Sequence, residues 1–181
     1  MSTRFEFDPT HSSINFSVRH LMVSKVRGHF AAWKGQLELD PDDLTRSKVA
    51  IEIDAASVDT KLAQRDDHLR SPDFLDAAKY PVLTFTGTGI TKVDDSTYEL
   101  TGDLTIKDVT RPVTLNVDYA GAVKDPWGGE RAGFSAHTTI NRKDFGLTWN
   151  MALEAGGFVV GDKLEISLEI EAVKVAASAA A

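Results

Sequence analysis

The residues best suited to chemistry are four consecutive polar side chains, Arg65, Asp66, Asp67 and His68. A histidine beside a carboxylate can move protons as a general acid–base pair, and His68 with Asp66 has that composition. The same cluster could instead form the hydrogen bonds that hold a crossover segment onto the mouth of a barrel. We favour this structural role, because no nucleophile or oxyanion group lies near the cluster in sequence. An enzyme that uses His68 and Asp66 is kept as an alternative.

The other histidines form no recognisable metal or catalytic motif. His11, His20, His29 and His137 lack the spacing of a zinc-protease helix or a zinc finger, and the chain contains no cysteine. We therefore predict no metal and no cofactor. A haem or metal carrier is kept as a further alternative, because a site made of histidines and carboxylates has no fixed spacing.

The elements that must position these residues are strands, since apolar residues recur with a period of two. Ile14, Phe16 and Val18 alternate with polar residues near the start of the chain. Strict alternation is typical of a strand with one face in an apolar interior. The pattern predicts eight strands, at residues 13–20, 26–39, 49–53, 82–90, 98–106, 113–119, 132–140 and 164–170. The parity changes at Ala31-Ala32, which predicts a bulge in a long bent second strand.

Alternation stops between residues 54 and 81. Two or three helical turns are predicted over 61–70, and Ser71 before Pro72 predicts a second short helix running through Ala78. The fold class is therefore all-β, an eight-stranded antiparallel barrel with a short helical insertion between the third and fourth strands. We predict a single domain over residues 1–181, with 172–181 as a disordered tail.

Composition and charge limit the partners. The chain has a formal net charge of -7 and scattered basic residues, which argues against nucleic acid. No apolar run approaches the roughly 20 residues that span a bilayer, so we expect no stable membrane insertion. The first residues show no signal-peptide pattern, and we predict a cytoplasmic location.

The sequence leaves open whether the barrel is hollow. Small residues at inward positions, Gly35, Gly102, Ala132 and Ala136, would leave volume unfilled. The alternative is that the phenylalanines fill the interior themselves, which would make the chain a structural or interaction module without a ligand.

Several ordered motifs carry a resemblance to a known family. They begin with His11-x-x-Ile14-x-Phe16-x-Val18-x-His20 and Arg65-Asp66-x-His68-Leu69, and continue through Gly102-x-Leu104-Thr105-Ile106 and Asn141-Arg142-x-Asp144-Phe145-Gly146 to Val160-Gly161-Asp162. From about Thr10 to Glu171 the chain resembles the YceI-like proteins. Each motif is weak alone, but their order and spacing together are specific.

The resemblance implies a lipocalin-like barrel that binds a long apolar lipid along its axis without catalysis. The expected ligands are polyisoprenoids or isoprenoid quinones, with fatty acids or their amides as further candidates, for carriage or storage. Relatives often pair, so a homodimer is also expected. We predict that the wall of the site is formed by Phe16, Val18, Phe30, Ile51, Ile53, Phe85, Leu104, Ile106, Leu115, Phe134, Ala136 and Ile166. We predict that its mouth is formed by His20, Arg65 and Trp149.

Overall fold

A computed structural model describes residues 1–176. Over this range the chain forms one α-helix, α1 (Ala63–Arg70), and eleven strands. The strands are β1 (Thr3–Phe7), β2 (Ser13–His20), β3 (Ser24–Phe30), β4 (Trp33–Leu39), β5 (Lys48–Asp54), β6 (Val58–Asp59), β7 (Val82–Lys92), β8 (Thr97–Ile106), β9 (Val109–Lys124), β10 (Glu130–Asn141) and β11 (Val160–Lys174). None of the helical segments in this range has the length and apolar character needed to cross a membrane.

The strands close into an eight-stranded antiparallel barrel, as predicted. Neighbouring strands pair in the order β4, β5, β7, β8, β9, β10 and β11. β11 then pairs with β2 along most of its length and with β1 at its end, while β1 also pairs with β4. The eight-stranded count holds because β1 with β2, and β3 with β4, each form one interrupted strand of the wall.

The interruption between β3 and β4 lies at Ala31 and Ala32, where the sequence changes parity. Both residues still form hydrogen bonds, one with the last residue of β5 and one with the chain that follows it. The Ala31 amide donates to the Ser57 carbonyl over 3.0 Å, and the Asp54 amide donates to the Ala32 carbonyl over 3.0 Å. The bend therefore joins the wall to the start of the crossover segment.

The predicted helical insertion is half correct. α1 lies inside the predicted range 61–70, but residues 71–80 form successive turns rather than a second helix. The Ser71 hydroxyl donates to the His68 carbonyl over 2.6 Å, so Ser71 ends α1 instead of starting a new helix. Asp76 has a φ of 47°, which interrupts any regular helix there.

Strand β1 was missed, and the predicted start of the disordered tail was wrong. β11 continues to Lys174, and Ala172 is completely buried. Phe5 and Phe7 of β1 pair with Lys174 and Ala172. This pairing supports a second small core cluster, made of Phe5, Leu37, Leu39, Ala132 and Ala172. Residues 177–181 of the predicted tail lie outside the described part of the chain.

Because the strands are antiparallel, their connections divide between two ends of the barrel. The α1 end is formed by residues 21–23, 55–81, 107–108 and 142–159. The turn end is formed by the connections 40–47, 93–96 and 125–129. The long connections all lie at the α1 end.

Candidate ligand-binding cavity

The barrel encloses a cavity of about 710 Å³. This volume lies within the range of about 300–1,000 Å³ that is typical of small-molecule sites. The wall is contributed by most strands of the barrel and by α1, and nearly all its side chains are apolar. The interior is therefore hollow, which resolves the question that the sequence left open.

The structure places all fifteen predicted site residues on the wall of this cavity. They are Phe16, Val18, His20, Phe30, Ile51, Ile53, Arg65, Phe85, Leu104, Ile106, Leu115, Phe134, Ala136, Trp149 and Ile166. For the thirteen that lie on strands the geometry follows from the period-two pattern, because alternate residues of a barrel strand point inward, whereas Arg65 lies on α1 and Trp149 in the loop after β10. That they contact a ligand stays a prediction.

The mouth of the cavity lies at the α1 end. Three exposed residues that line the cavity lie at this end, namely Arg19, Leu62 and Gln64. At the turn end, the exposed lining residue is Lys48. His20, Arg65 and Trp149 lie at the α1 end, half-buried. Polar groups and water access therefore coincide at one end of an otherwise apolar space.

An aromatic cluster forms one side of the mouth. Trp149 meets the His68 ring edge-on at 4.7 Å between centroids, and its centroid lies 5.4 Å from that of Phe74. His68 also meets Phe74 edge-on at 5.0 Å. The cluster joins α1 to the loop after β10, so the two longest connections pack against each other at the opening.

The acid–base pair that the sequence suggested is not formed. Asp66 is buried and accepts hydrogen bonds from the Thr60 amide at 2.8 Å and the Thr60 hydroxyl at 2.5 Å. His68 instead lies 2.9 Å from a carboxylate oxygen of Asp73. Arg65 completes the group by donating to the Thr60 hydroxyl at 2.7 Å and to its carbonyl at 2.9 Å. These contacts fasten α1 to the strand before it, which is the structural role that the sequence favoured.

A buried arginine holds the other side of the mouth. Arg142 is only 3 % exposed and donates to the carbonyls of Leu147, Trp149 and Gly161 over 2.6–2.9 Å. A fourth bond reaches the Val160 carbonyl at 3.3 Å. Burial lowers the pKa of Arg142 from its ordinary value, and Asp162 partly opposes this. Arg142 therefore fixes the loop that carries Trp149, a role that sequence reasoning missed although its motif was noticed.

Two aromatic side chains occupy the turn end of the cavity. Tyr119 stacks on Phe134 with 5.1 Å between centroids. Burial raises the pKa of the Tyr119 hydroxyl, with a further contribution from Glu130. The cavity therefore ends against aromatic rings at the turn end and opens between polar groups at the α1 end.

Only one of the four small inward residues lines the cavity. A side chain at Gly102 would collide with the Phe85 ring, and one at Gly35 would collide with Phe7. Ala132 packs in the second core cluster, which leaves Ala136 on the cavity wall. The prediction that Gly35, Gly102 and Ala132 leave volume for a ligand is therefore wrong, because these residues make room for neighbouring groups of the protein.

Within residues 1–176, one group has the ligand types of a metal site, namely Asp8, His11 and Glu171. Arg131 already supplies a positive charge there, since it donates to Asp8 at 2.9 Å and to Glu171 at 2.5 Å. Hydrogen bonds from Thr10 and His11, with Arg131, hold the pKa of Asp8 well below its usual range. We interpret the group as an ion-pair network on the wall of the barrel.

Sequence reasoning also missed part of the wall contributed outside the regular strands. Leu69, Phe74 and Leu147 line the cavity from α1 and the two long connections. No period of two marks them, because they do not lie on strands. Leu69 did appear in the motif Arg65-Asp66-x-His68-Leu69 that carries the family resemblance, which was an available indication.

Comparison with known proteins agrees with this architecture. The YceI-like domain model matches residues 5–172. A UPF0312 protein of Vibrio cholerae is 42% identical over 137 residues, which covers 76% of this chain and 72% of that protein.

Solved structures show the same fold. The YCEI protein of Campylobacter jejuni superposes with a TM-score of 0.75 and 33% identity, covering 87% of this chain and 90% of that one. A polyisoprenoid-binding domain from Saccharophagus degradans superposes with a TM-score of 0.69 and 16% identity, covering 94% and 98%.

Fold and cavity together define a lipocalin-like barrel, closed around an apolar space and open at one end. The family match extends over nearly the whole of that barrel. The chain belongs to the YceI-like family.

Proposed function

We propose that this protein binds a long-chain isoprenoid lipid, a polyprenyl chain or an isoprenoid quinone, in the barrel cavity, for carriage or storage and without catalysis. The observation that carries the proposal is a hollow of about 710 Å³ whose wall is almost entirely apolar. A packed structural module would have no such space, and His68 pairs with Asp73 rather than with Asp66, the partner that the enzyme alternative named.

The volume sets the length of chain that fits. A water molecule occupies about 30 Å³ in the liquid, and a methylene group has a similar size, so about 20–25 carbon-sized groups fill the cavity. That corresponds to four or five isoprene units. A longer chain would leave its remaining units at the mouth.

Burial of such a chain supplies enough free energy for useful affinity. Each buried methylene contributes about 0.8 kcal/mol, so a five-carbon isoprene unit contributes about 4 kcal/mol and four units about 16 kcal/mol. Association costs about 4–15 kcal/mol, and a pre-formed cavity keeps that cost low. Micromolar binding corresponds to about 8 kcal/mol, so a chain of four units reaches it when association costs no more than about 8 kcal/mol.

The polar residues at the mouth would hold the head group. His20, Arg65 and Trp149 lie where the apolar wall meets solvent. An apolar tail directed inward leaves a quinone ring or an alcohol beside these side chains. Discrimination between head groups would then depend on the α1 end, and discrimination between chain lengths on the turn end.

The Saccharophagus degradans domain, which shares the fold, supports the proposed class of ligand. Fatty acids and their amides are further candidate ligands, because the same wall accepts any flexible apolar chain. The homodimer and the cytoplasmic location stay predictions, to be tested by sedimentation and by cell fractionation.

Native mass spectrometry of gently purified protein, with organic extraction of the same sample, tests the proposal. We expect an adduct of several hundred daltons that is extracted as a prenyl lipid. A protein that purifies free of lipid and takes up neither geranylgeraniol nor a prenyl quinone would contradict the proposal.

A further inference from the structure

We propose that the α1 end of the barrel docks on the surface of a lipid bilayer. The inference rests on the proposed function, since it places the mouth of the cavity against the source of an apolar ligand. An apolar rim surrounds the mouth, and the connections of the two ends differ in charge.

Large apolar side chains are exposed around the mouth. We define the apolar rim as Leu21, Met22, Val23, Leu62, Met151 and Phe158, all classed among the exposed hydrophobic residues. Met22 is 65% exposed and Phe158 is 55% exposed. Contiguous exposed apolar groups of this kind mark protein or membrane contact sites.

Most of the rim forms one connected surface. The Leu21 amide donates to the Val159 carbonyl over 2.9 Å, and the Val159 amide donates to the Met151 carbonyl over 3.0 Å. Ala152 and Phe158 form a bridge within the same loop. The tip of the β2–β3 hairpin and the loop before β11 are therefore held side by side, and Val159 and Leu62 continue from the rim into the cavity wall.

The hairpin tip keeps apolar residues where the backbone favours other types. Leu21 and Met22 have φ angles of 52° and 62°, in the left-handed region that suits glycine and asparagine. Both side chains are exposed, so the folded protein buries only part of their apolar surface, including the contact of the Met22 sulfur with Gly157. Burial of these side chains in a bilayer interface would offset the free-energy cost of the left-handed backbone at Leu21 and Met22.

Charge separates the two ends of the barrel. The connections of the α1 end carry seven basic side chains (Lys61, Arg65, Arg70, Lys79, Lys107, Arg142 and Lys143) against eight acidic ones (Asp59, Asp66, Asp67, Asp73, Asp76, Asp108, Asp144 and Glu154). The connections of the turn end carry one basic side chain (Arg46) against six acidic ones (Asp40, Asp42, Asp43, Asp94, Asp95 and Asp125).

The connections of the α1 end are thus nearly neutral, whereas those of the turn end are strongly acidic. Exposed basic side chains lie on the adjoining strands at both ends, at Arg19, Lys25 and Lys163 beside the rim and at Lys48, Lys92 and Lys124 beside the turn end, so the contrast in charge belongs to the connections. The field of a membrane with anionic lipid would turn the acidic end away and bring the mouth towards the surface. The overall charge of -7 therefore does not prevent docking, because it is concentrated at the end that faces away.

The test is flotation of the full chain with vesicles of phosphatidylcholine, with and without phosphatidylglycerol. We expect the wild-type protein to float with both. The double variant Met22→Ser/Phe158→Ser should bind at least tenfold more weakly, at an unchanged melting temperature because both side chains are exposed. Trp127→Ser is the matched control, since Trp127 is 83% exposed at the turn end and its loss should leave flotation unchanged.

Three results would overturn the inference. The wild-type protein could fail to float, or Trp127→Ser could reduce flotation as much as the double variant. The third result is that the rim is buried in a dimer. Sedimentation would then show a wild-type dimer that becomes a monomer in Met22→Ser/Phe158→Ser, while flotation stays unchanged. Uptake of geranylgeraniol in detergent-free solution, measured on the same variants, separates a failure of docking from a failure of the proposed lipid binding.

Discussion

The two ends of this barrel are built from different interactions. At the turn end, short connections are held by carboxylates that accept backbone hydrogen bonds, such as Asp94 from Ser96 and Thr97. At the α1 end, long connections are held by Arg142, which donates to carbonyls, and by the Trp149 aromatic cluster. The turn end is short, acidic and tightly hydrogen-bonded, and the α1 end carries the mouth.

The difference also appears in the acid–base properties of the two ends. Carboxylates with lowered pKa values lie mainly at or near the turn end, at Asp8, Asp40, Asp43, Asp94 and Asp125. Hydrogen bonds from backbone amides or hydroxyl groups help to lower the pKa of each of these carboxylates. A barrel can therefore keep its interior open at one end by concentrating ionic stabilisation at the other.

The largest effect is expected at Arg142. Arg142→Leu removes the donors to four carbonyls around the mouth, and each buried polar group left unpaired costs about 1–3 kcal/mol. Since the freed loop can regain some hydrogen bonds from water, we expect a net loss of about 3 kcal/mol in the free energy of unfolding, measured in urea.

Arg111→Leu is the matched control for Arg142→Leu. Arg111 is exposed and makes one long bond, 3.3 Å to the Asp144 carbonyl. We expect a change within about 0.5 kcal/mol. Equal losses in the two variants would show that Arg142 does not hold the mouth.

Acid should destabilise the protein through the turn end. A carboxyl group whose pKa is lowered by folding contributes its full stability above its unfolded pKa, about 3.9 for aspartate. That contribution is lost as the pH falls from about 4 towards the folded-state pKa. We expect the melting temperature to fall steeply below about pH 4, and less steeply in Asp8→Asn.

Glu165→Gln tests whether this acid sensitivity belongs to the turn end. Lys25 and Ser17 lower the pKa of Glu165, but its side chain is exposed, so solvent weakens the effect. We expect its melting temperature to follow the wild-type dependence on pH. A flatter profile in Glu165→Gln than in Asp8→Asn would break the comparison between the two ends.

Filling the cavity should remove lipid binding. Ala136→Phe adds a ring to the wall, and we expect geranylgeraniol to bind at least about tenfold more weakly, equivalent to about 1.4 kcal/mol. His137→Phe adds the same ring to the next residue of β10, which is exposed. Binding should survive in His137→Phe, and equal weakening in both variants would mean that the lipid does not occupy the cavity.

The smallest expected effect is a difference in stability between substitutions at two tryptophans, Trp149 at the mouth and Trp127 at the turn end. Trp149→Ala removes contacts with His68 and Phe74, and we expect a loss of about 1 kcal/mol in stability together with faster lipid release. Trp127→Ala at the turn end should change stability by less than about 0.5 kcal/mol. Stopped-flow release of a fluorescent prenyl lipid measures the first effect, and unchanged release in Trp149→Ala would exclude its role at the mouth.

Much of the barrel could be predicted from local pattern. Alternation of apolar residues located eight wall strands, the parity change at Ala31-Ala32 located the bend, and the break in alternation located α1. The inward parity also placed Phe16, Leu104 and Ile166 on one interior surface. These features follow from the period of a strand, which each short segment carries by itself.

Other features depended on contacts between distant segments. β1 is too short to show a pattern, and it forms because Phe5 packs between β4 and the end of β11. Whether Gly102 opened a cavity depended on where the Phe85 ring lay, and the partner of His68 proved to be Asp73 rather than Asp66. The local sequence does not decide between such arrangements, because their local energies are similar.

The sequence by itself determined the long strands of the wall, their inward faces and the apolar character of the interior. Only the tertiary structure decided that the interior is hollow, that its mouth lies at the α1 end, and that charge is concentrated at the other end. The physical reason is that periodicity is a property of each strand, whereas a cavity, an opening and a charge separation arise from how all the strands and connections are placed together.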